Sequence, residues 1–223
     1  MVDPGNVKPS FENISLPHQA CNAPVVVVIL LACVIGTSIV QWFPELIHLF
    51  TIQDYIFSNS AVTFNTISNT ADHQEYWRFI TPIFLHFGFF HLVFNALLFW
   101  VIGQKLEYLL GSLRLSGSIV FIAVTSNIGQ YLENGASLFG GLSGVVYGLL
   151  GFIWISQKLS PVQVLLIPQG LFGFMMVWLI LGLTGAVNLF IEASIANGAH
   201  FVGLISGIML GVFNGLSRSG HSL

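Results

Sequence analysis

Six apolar runs of membrane length dominate this chain, at residues 25–43, 87–102, 115–132, 138–155, 168–187 and 195–213. A bilayer core about 30 Å thick asks for roughly 20 apolar residues per crossing helix. No water reaches the backbone there, so each run has to satisfy its own amides, and a helix does so. The charge content agrees: only 7% of the 223 residues are charged, against about 25% in a soluble domain. So few charges cannot coat a water-facing surface. The expected fold class is therefore an all-α polytopic membrane protein, a bundle of six transmembrane helices. One domain is expected over 25–216, flanked by cytoplasmic segments at 1–24 and 217–223, with no extra soluble domain.

Other classes are disfavoured by the same residues. A net charge of -3 with no basic cluster argues against a nucleic-acid partner. Cys21 and Cys33 have neither metal nor redox spacing and read as small buried hydrophobes. The first apolar run starts only at Val25, too late for the short basic leader of a signal peptide. Asn13-Ile14-Ser15 matches a glycosylation acceptor, a tripeptide common by chance. No internal repeat of the kind that marks a secondary transporter is visible.

The basic residues orient the bundle. With six spans, Lys8, Lys105, Arg114, Lys158 and Arg218 fall on one side and only Arg78 on the other. Positive charge favours the cytoplasm, so both termini are expected there. The acids Glu45, Asp54, Asp72, Glu75, Glu133 and Glu192 then lie outside. The longest connection, 44–85, also lies outside. Its first half, 45–57, is expected as an interfacial helix. The Ser/Asn/Thr-rich stretch 58–70 is expected to be irregular. Trp77 and Arg78 close the loop at the membrane surface, where tryptophan is favoured.

This orientation gathers polar groups at one depth. The second, fourth and sixth spans all run inward and begin with His86, His91 and Asn95, with Ser143, and with His200. His91 and Asn95 are i,i+4 and share a helix face, as do Ser143 and Tyr147. Gly144-x-x-x-Gly148 and Gly203-x-x-x-Gly207 let two helix backbones approach closely. If the fourth and sixth helices pack through them, Ser143 and His200 reach hydrogen-bond distance, the arrangement of an activated serine. A lone serine at a span end is usually a structural hydrogen-bonder, but an ionisable group inside the membrane tends to be functional. Gly141-Leu142-Ser143-Gly144 is not the nucleophile elbow of α/β-hydrolases. The two histidines His86 and His91 lack the zinc-protease pattern, so no metal is expected. No acid neighbours His200 in sequence, so a Ser-His dyad is favoured over a triad.

These residues carry a family resemblance. Trp77-Arg78, His86-x-x-x-x-His91-x-x-x-Asn95, Glu107-x-x-x-Gly111, Gly141-Leu142-Ser143-Gly144-x-x-Tyr147-Gly148 and Asn197-Gly198-Ala199-His200-x-x-Gly203-x-x-x-Gly207 follow one another over roughly residues 77–211. The chain resembles the rhomboid intramembrane serine proteases, of the compact six-helix bacterial type. The resemblance implies a hydrolase of peptide bonds in the transmembrane segments of single-span proteins, near their outer ends. It makes Ser143 the nucleophile and His200 the general base. It implies an oxyanion hole of the Ser143 backbone N–H with His91 and Asn95. Tyr147 would stack on His200, and Gly141 would give the strained approach to the serine. His86, Trp77, Arg78 and Glu107 would be structural. Phe94 and Trp178 match a lateral substrate gate between the second and fifth helices. The stretch 58–70 and the connection 188–195 look longer than in compact relatives.

The expected partners are membrane-protein substrates and the lipid bilayer, with no cofactor. The expected location is the cell membrane, a bacterial inner membrane, with the site opening outward. The alternative is a rhomboid-like pseudoprotease that binds or routes membrane proteins. A small transporter is disfavoured by the missing repeats and midplane charges.

Overall fold

The computed structural model describes residues 23–58, 61–159, 161, 165, 167–168, 170–186 and 195–219. The positions of Lys8, Cys21 and Glu192, and the connection expected at 188–195 except for Ile195, lie outside these residues.

Six long helices account for the six apolar runs: α1 (Pro24–Trp42), α3 (Phe89–Leu110), α4 (Ser112–Asn134), α5 (Ser143–Leu159), α6 (Leu171–Leu183) and α7 (Asn197–Ser219). A short helix, α2 (Ile67–Asp72), lies in the first loop. By length and apolarity α1, α3, α4 and Asn197–Asn214 of α7 are fit to cross a membrane. At 17 and 13 residues, α5 and α6 are shorter. Within the fourth apolar run, irregular backbone was expected around 134–141 with the span opening at Ser143, and α5 starts at Ser143. Gly135 and Gly141 sit at φ +67° and +124°, so the backbone between α4 and α5 is not helical. Such backbone is tolerated at membrane depth where protein encloses it. Phe139 and Leu142 of this stretch are buried, while Ala136 and Leu138 are exposed; α5 itself is buried at every residue from Gly144 to Ile153. One face each of α1, α3 and α6, by contrast, turns large apolar side chains outward, among them Val28, Ile35, Leu97, Phe174 and Ile180. An outward apolar surface of that extent is a lipid-facing one. The chain is an all-α polytopic membrane bundle.

Glycine explains the close packing of α7 on α5. A Cβ on Gly203 would sit 2.2 Å from the Gly144 carbonyl oxygen, and one on Gly207 only 1.6 Å from that of Gly148. A side chain at Gly148 would likewise fall 2.9 Å from the Gly203 oxygen. The two stripes expected to meet do meet, backbone on backbone. α7 also packs broadly on α4, whereas α6 touches α5 and α7 lightly.

Glu107 locks α1 to α3. Its buried carboxylate accepts from Val25 N (3.0 Å), Val26 N (3.1 Å) and Ser112 Oγ (2.7 Å). It thus satisfies amides that the first turn of α1 leaves without helical partners. Pro24, which has no N–H to satisfy, opens that turn. Cys33 is a free, buried thiol on α1.

The first loop departs from expectation. In place of an interfacial helix it begins with a 3-10 turn at Pro44–Leu49 and continues as strand β1 (Tyr55–Ser58). The stretch expected to be irregular supplies β2 (Ala61–Phe64) and α2. The strands pair antiparallel, Tyr55 opposite Phe64 and Ser58 opposite Ala61. Aromatic and β-branched residues, Tyr55, Ile56, Val62, Thr63 and Phe64, favour a pleated surface over either expected form. Arg78 stitches the loop together. Its buried guanidinium donates to Glu75 Oε2 at 2.6 Å and to the carbonyls of His48 and Thr51. Trp77 Nε1 donates to the Leu49 carbonyl at 3.2 Å while its ring stays half exposed.

Candidate active site

The turn before α5 is held from below by the second span and its approach. Gly141 N–H donates to the Pro82 carbonyl (3.0 Å), and Leu142 N–H donates to His86 Nε2 (3.3 Å). His86 Nδ1 in turn faces the Phe84 carbonyl at 3.2 Å. Nε2 accepts, so the proton must be on Nδ1, and one tautomer satisfies both bonds. His86 is fully buried and serves the backbone of this turn. The turn needs glycine, since φ +124° at Gly141 is a conformation L side chains rarely adopt. A Cβ there would also fall 2.7 Å from His91 Nε2.

Ser143 is the first residue of α5. Its Oγ lies 2.7 Å from His200 Nε2. The closeness follows from the glycine stripes, because Gly144 and Gly203 stand one and three residues along their helices from the pair. Tyr147, one turn below Ser143, lays its ring against that of His200, centroids 4.6 Å apart and planes inclined by 33°. The Tyr147 hydroxyl donates to the Met175 carbonyl of α6 at 2.9 Å. His200 is buried, and its Nδ1 has no hydrogen-bond partner among the described residues. A serine hydroxyl within reach of an imidazole nitrogen is the pairing that activates a nucleophile.

His91 and Asn95 stand one turn apart on α3, and His91 lies beside the turn before α5. The His91 ring meets that of His86 at 4.9 Å, and its Nε2 borders the Gly141 backbone that leads into Ser143. Asn95 is buried, with Nδ2 donating to the His91 carbonyl at 2.9 Å. An amide nitrogen carries two hydrogens, so one remains to donate elsewhere. Ser143, Tyr147 and the three histidines His86, His91 and His200 are thus brought together around one turn, with Asn95 one helical turn along α3 from His91. Phe94 and Trp178 both lie at the surface of the bundle. Phe94 projects from α3 to the exterior, and the ring neighbour of Trp178 is Phe174 on its own helix, centroids 6.5 Å apart. Among the described residues no three His, Cys, Asp or Glu side chains form a metal-binding group.

Two residues at the site were not singled out from the sequence. Gln130 Oε1 accepts from Ala199 N (3.1 Å), and Glu133 Oε2 accepts from Gly198 N (2.6 Å). Both sit in the last turns of α4, beyond Ser126 and Asn127; Ser126, Asn127 and Gln130 are buried, and Glu133 is exposed. Four polar residues in the last turns of an apolar run were the available signal. They add a fourth helix to the polar layer.

Residues 73–216 match the Rhomboid domain family. Rhomboid protease GlpG of Photorhabdus laumondii is 38% identical over 173 residues, covering 75% of this chain and 60% of that protein. Rhomboid protease GlpG of Yersinia pestis is 39% identical over 142 residues, covering 64% of this chain and 49% of that protein. The chain spans about half to three-fifths of the length of these curated relatives. With the Rhomboid domain matched over most of this chain, at residues 73–216, and carried on a helical membrane bundle, the chain belongs to the rhomboid family.

Proposed function

We propose that this chain is an intramembrane serine endopeptidase that cleaves transmembrane segments of single-span proteins near their outer ends. The observation that carries the reading is the 2.7 Å contact of Ser143 Oγ with His200 Nε2, inside a polar layer of a membrane bundle. The relatives named as rhomboid proteases support it.

In this reading His200 Nε2 takes the proton of Ser143 as Oγ attacks the scissile carbonyl. The tetrahedral oxyanion forms at the N-terminus of α5, where backbone amides favour negative charge. The Ser143 N–H, the His91 ring and the Asn95 amide are its donors. Such preorganised donors act most strongly where water is excluded. His200 then protonates the leaving amine, the C–N bond breaks, and an acyl ester remains on Ser143. Water, deprotonated by His200, hydrolyses that ester and restores the free hydroxyl. With Nε2 as acceptor, Nδ1 carries the resting proton. The absence of a partner for Nδ1 among the described residues favours a dyad over a triad.

The chain is a multi-pass membrane protein. We further propose a bacterial inner membrane, the site opening outward, residues 25–216 as the catalytic domain, and the segments 1–24 and 217–223 in the cytoplasm. The distribution of basic residues supports this topology. Labelling of terminal tags tests it, and a C-terminal tag reachable from outside intact cells would refute it.

The functional test uses purified protein in detergent with single-span substrates that carry small, helix-breaking residues near the outer end. Wild type is expected to cleave, and Ser143→Ala and His200→Ala are expected not to. Cleavage that persists in Ser143→Ala would remove the nucleophile. A wild type inert to a broad panel would favour a pseudoprotease that binds or routes its partners.

A further inference from the structure

The first turn of α7 is anchored at each of four consecutive residues. Asn197 Nδ2 donates to the Gly182 carbonyl of α6 at 2.9 Å. Gly198 N and Ala199 N donate to Glu133 Oε2 and Gln130 Oε1 of α4, at 2.6 and 3.1 Å. His200 then meets Ser143 of α5 at 2.7 Å. The opening amides of a helix have no partners of their own, so side chains that bind them decide where the turn sits.

We propose that Gln130 and Glu133 are positioning residues that hold the His200 ring on Ser143 by clamping this turn. This rests on the dyad reading above. In a triad an acid grips the second imidazole nitrogen and fixes the ring. Here His200 Nδ1 has no partner among the described residues. Ring placement therefore falls to the Tyr147 ring on one side and to the α7 backbone on the other. Gln130 and Glu133 are i,i+3 on a 23-residue helix, so they grip two successive amides from one firm face. The fit is tight, since a Cβ on Gly198 would come 2.8 Å from Glu133 Oε2 and 2.9 Å from the Gly129 carbonyl. A carboxylate at a helix N-terminus is also favoured by the helix dipole. The outermost 1 Å of play in this turn is decisive, because the dyad distance of 2.7 Å leaves the hydrogen-bond range within about that displacement.

The test measures substrate cleavage by the full chain in detergent, separating kcat from KM, for Glu133→Ala, Gln130→Ala and Glu133→Gln. Loss of either anchor is expected to lower kcat by about tenfold or more with KM within about twofold, as misplacement by a fraction of an ångström does. Glu133→Gln keeps an oxygen for Gly198 N–H and is expected to recover most of the rate. Glu133 is exposed, so its alanine variant carries the test even if the buried Gln130 position does not tolerate change. Thermal unfolding of each variant separates misplacement from loss of fold. A Glu133→Ala protein that is folded and cleaves at the wild-type rate overturns the proposal. So does a loss of rate in Glu133→Ala explained wholly by unfolding at the assay temperature, or a Glu133→Gln protein as slow as the alanine variant. Ser143→Ala is run alongside. If it still cleaves, the dyad reading fails; if it is dead while Glu133→Ala is unimpaired, only the positioning role fails.

Discussion

Replacing Gly203 by alanine should disable the site without touching any group proposed for the chemistry. The new Cβ would lie 2.2 Å from the Gly144 carbonyl oxygen and 3.0 Å from its carbon. Ordinary contact between such atoms begins near 3.4 Å. Both partners are backbone, so no rotamer can relieve the overlap, and α5 and α7 must part by roughly 1 Å. Gly144 adjoins Ser143 and Gly203 lies one turn below His200, so the separation reaches the pair almost undiminished. The 2.7 Å contact would then stretch past hydrogen-bond range. We expect a loss of about 10²-fold in cleavage rate, the cost of a 1 Å misplacement. Overpacking should cost about 1–3 kcal/mol in stability. Gly117→Ala is the control, because a Cβ there meets nothing within 4 Å. That variant should cleave normally and be more stable by up to about 1 kcal/mol, the helix preference of alanine over glycine. Initial rates and detergent thermal unfolding read both quantities. A folded Gly203→Ala protein cleaving within threefold of wild type would refute the claim that the glycine contact sets the dyad distance.

The remaining expectations concern single side chains. Glu107→Ala leaves Val25 N, Val26 N and the Ser112 hydroxyl without their acceptor, and should cost about 1–3 kcal/mol in thermal unfolding with little change in kcat. Asn95→Ala removes a proposed oxyanion donor and should lower turnover by about 10²–10³ with the fold intact. Tyr147→Phe keeps the ring on His200 and loses only the bond to Met175, so it should retain far more activity than Tyr147→Ala. Equal rates in those two variants would show that the ring does not orient the histidine.

Much of this molecule could be read before its structure. Hydrophobic length is a physical requirement of the bilayer, so the six runs reappear as helices. Gly144, Gly148, Gly203 and Gly207 were legible because a missing side chain announces close backbone approach. Ser143, His200, His91 and Asn95 stood out as polar groups where such groups are costly. The first loop was less legible. Its polar residues suggested irregularity, but pairing between Tyr55–Ser58 and Ala61–Phe64 depends on cross-strand contacts that composition does not express. The start of α5 at Ser143 was legible from the glycines and polar residues that interrupt the apolar run before it. Gln130 and Glu133 were passed over because their partners are backbone amides on another helix, invisible to any side-chain motif. Phe94 and Trp178 entered by likeness alone.

Covalent labelling of the serine tests the central claim most directly. The intact protein is treated in detergent with a fluorophosphonate, digested, and the adduct located by mass spectrometry. The dyad account predicts modification at Ser143 in wild type and its loss in His200→Ala, with Ser126 and Ser156 unmodified in both. An adduct forming on Ser143 at the same rate without His200, or a preparation that cleaves substrate while Ser143 stays unlabelled, would contradict it.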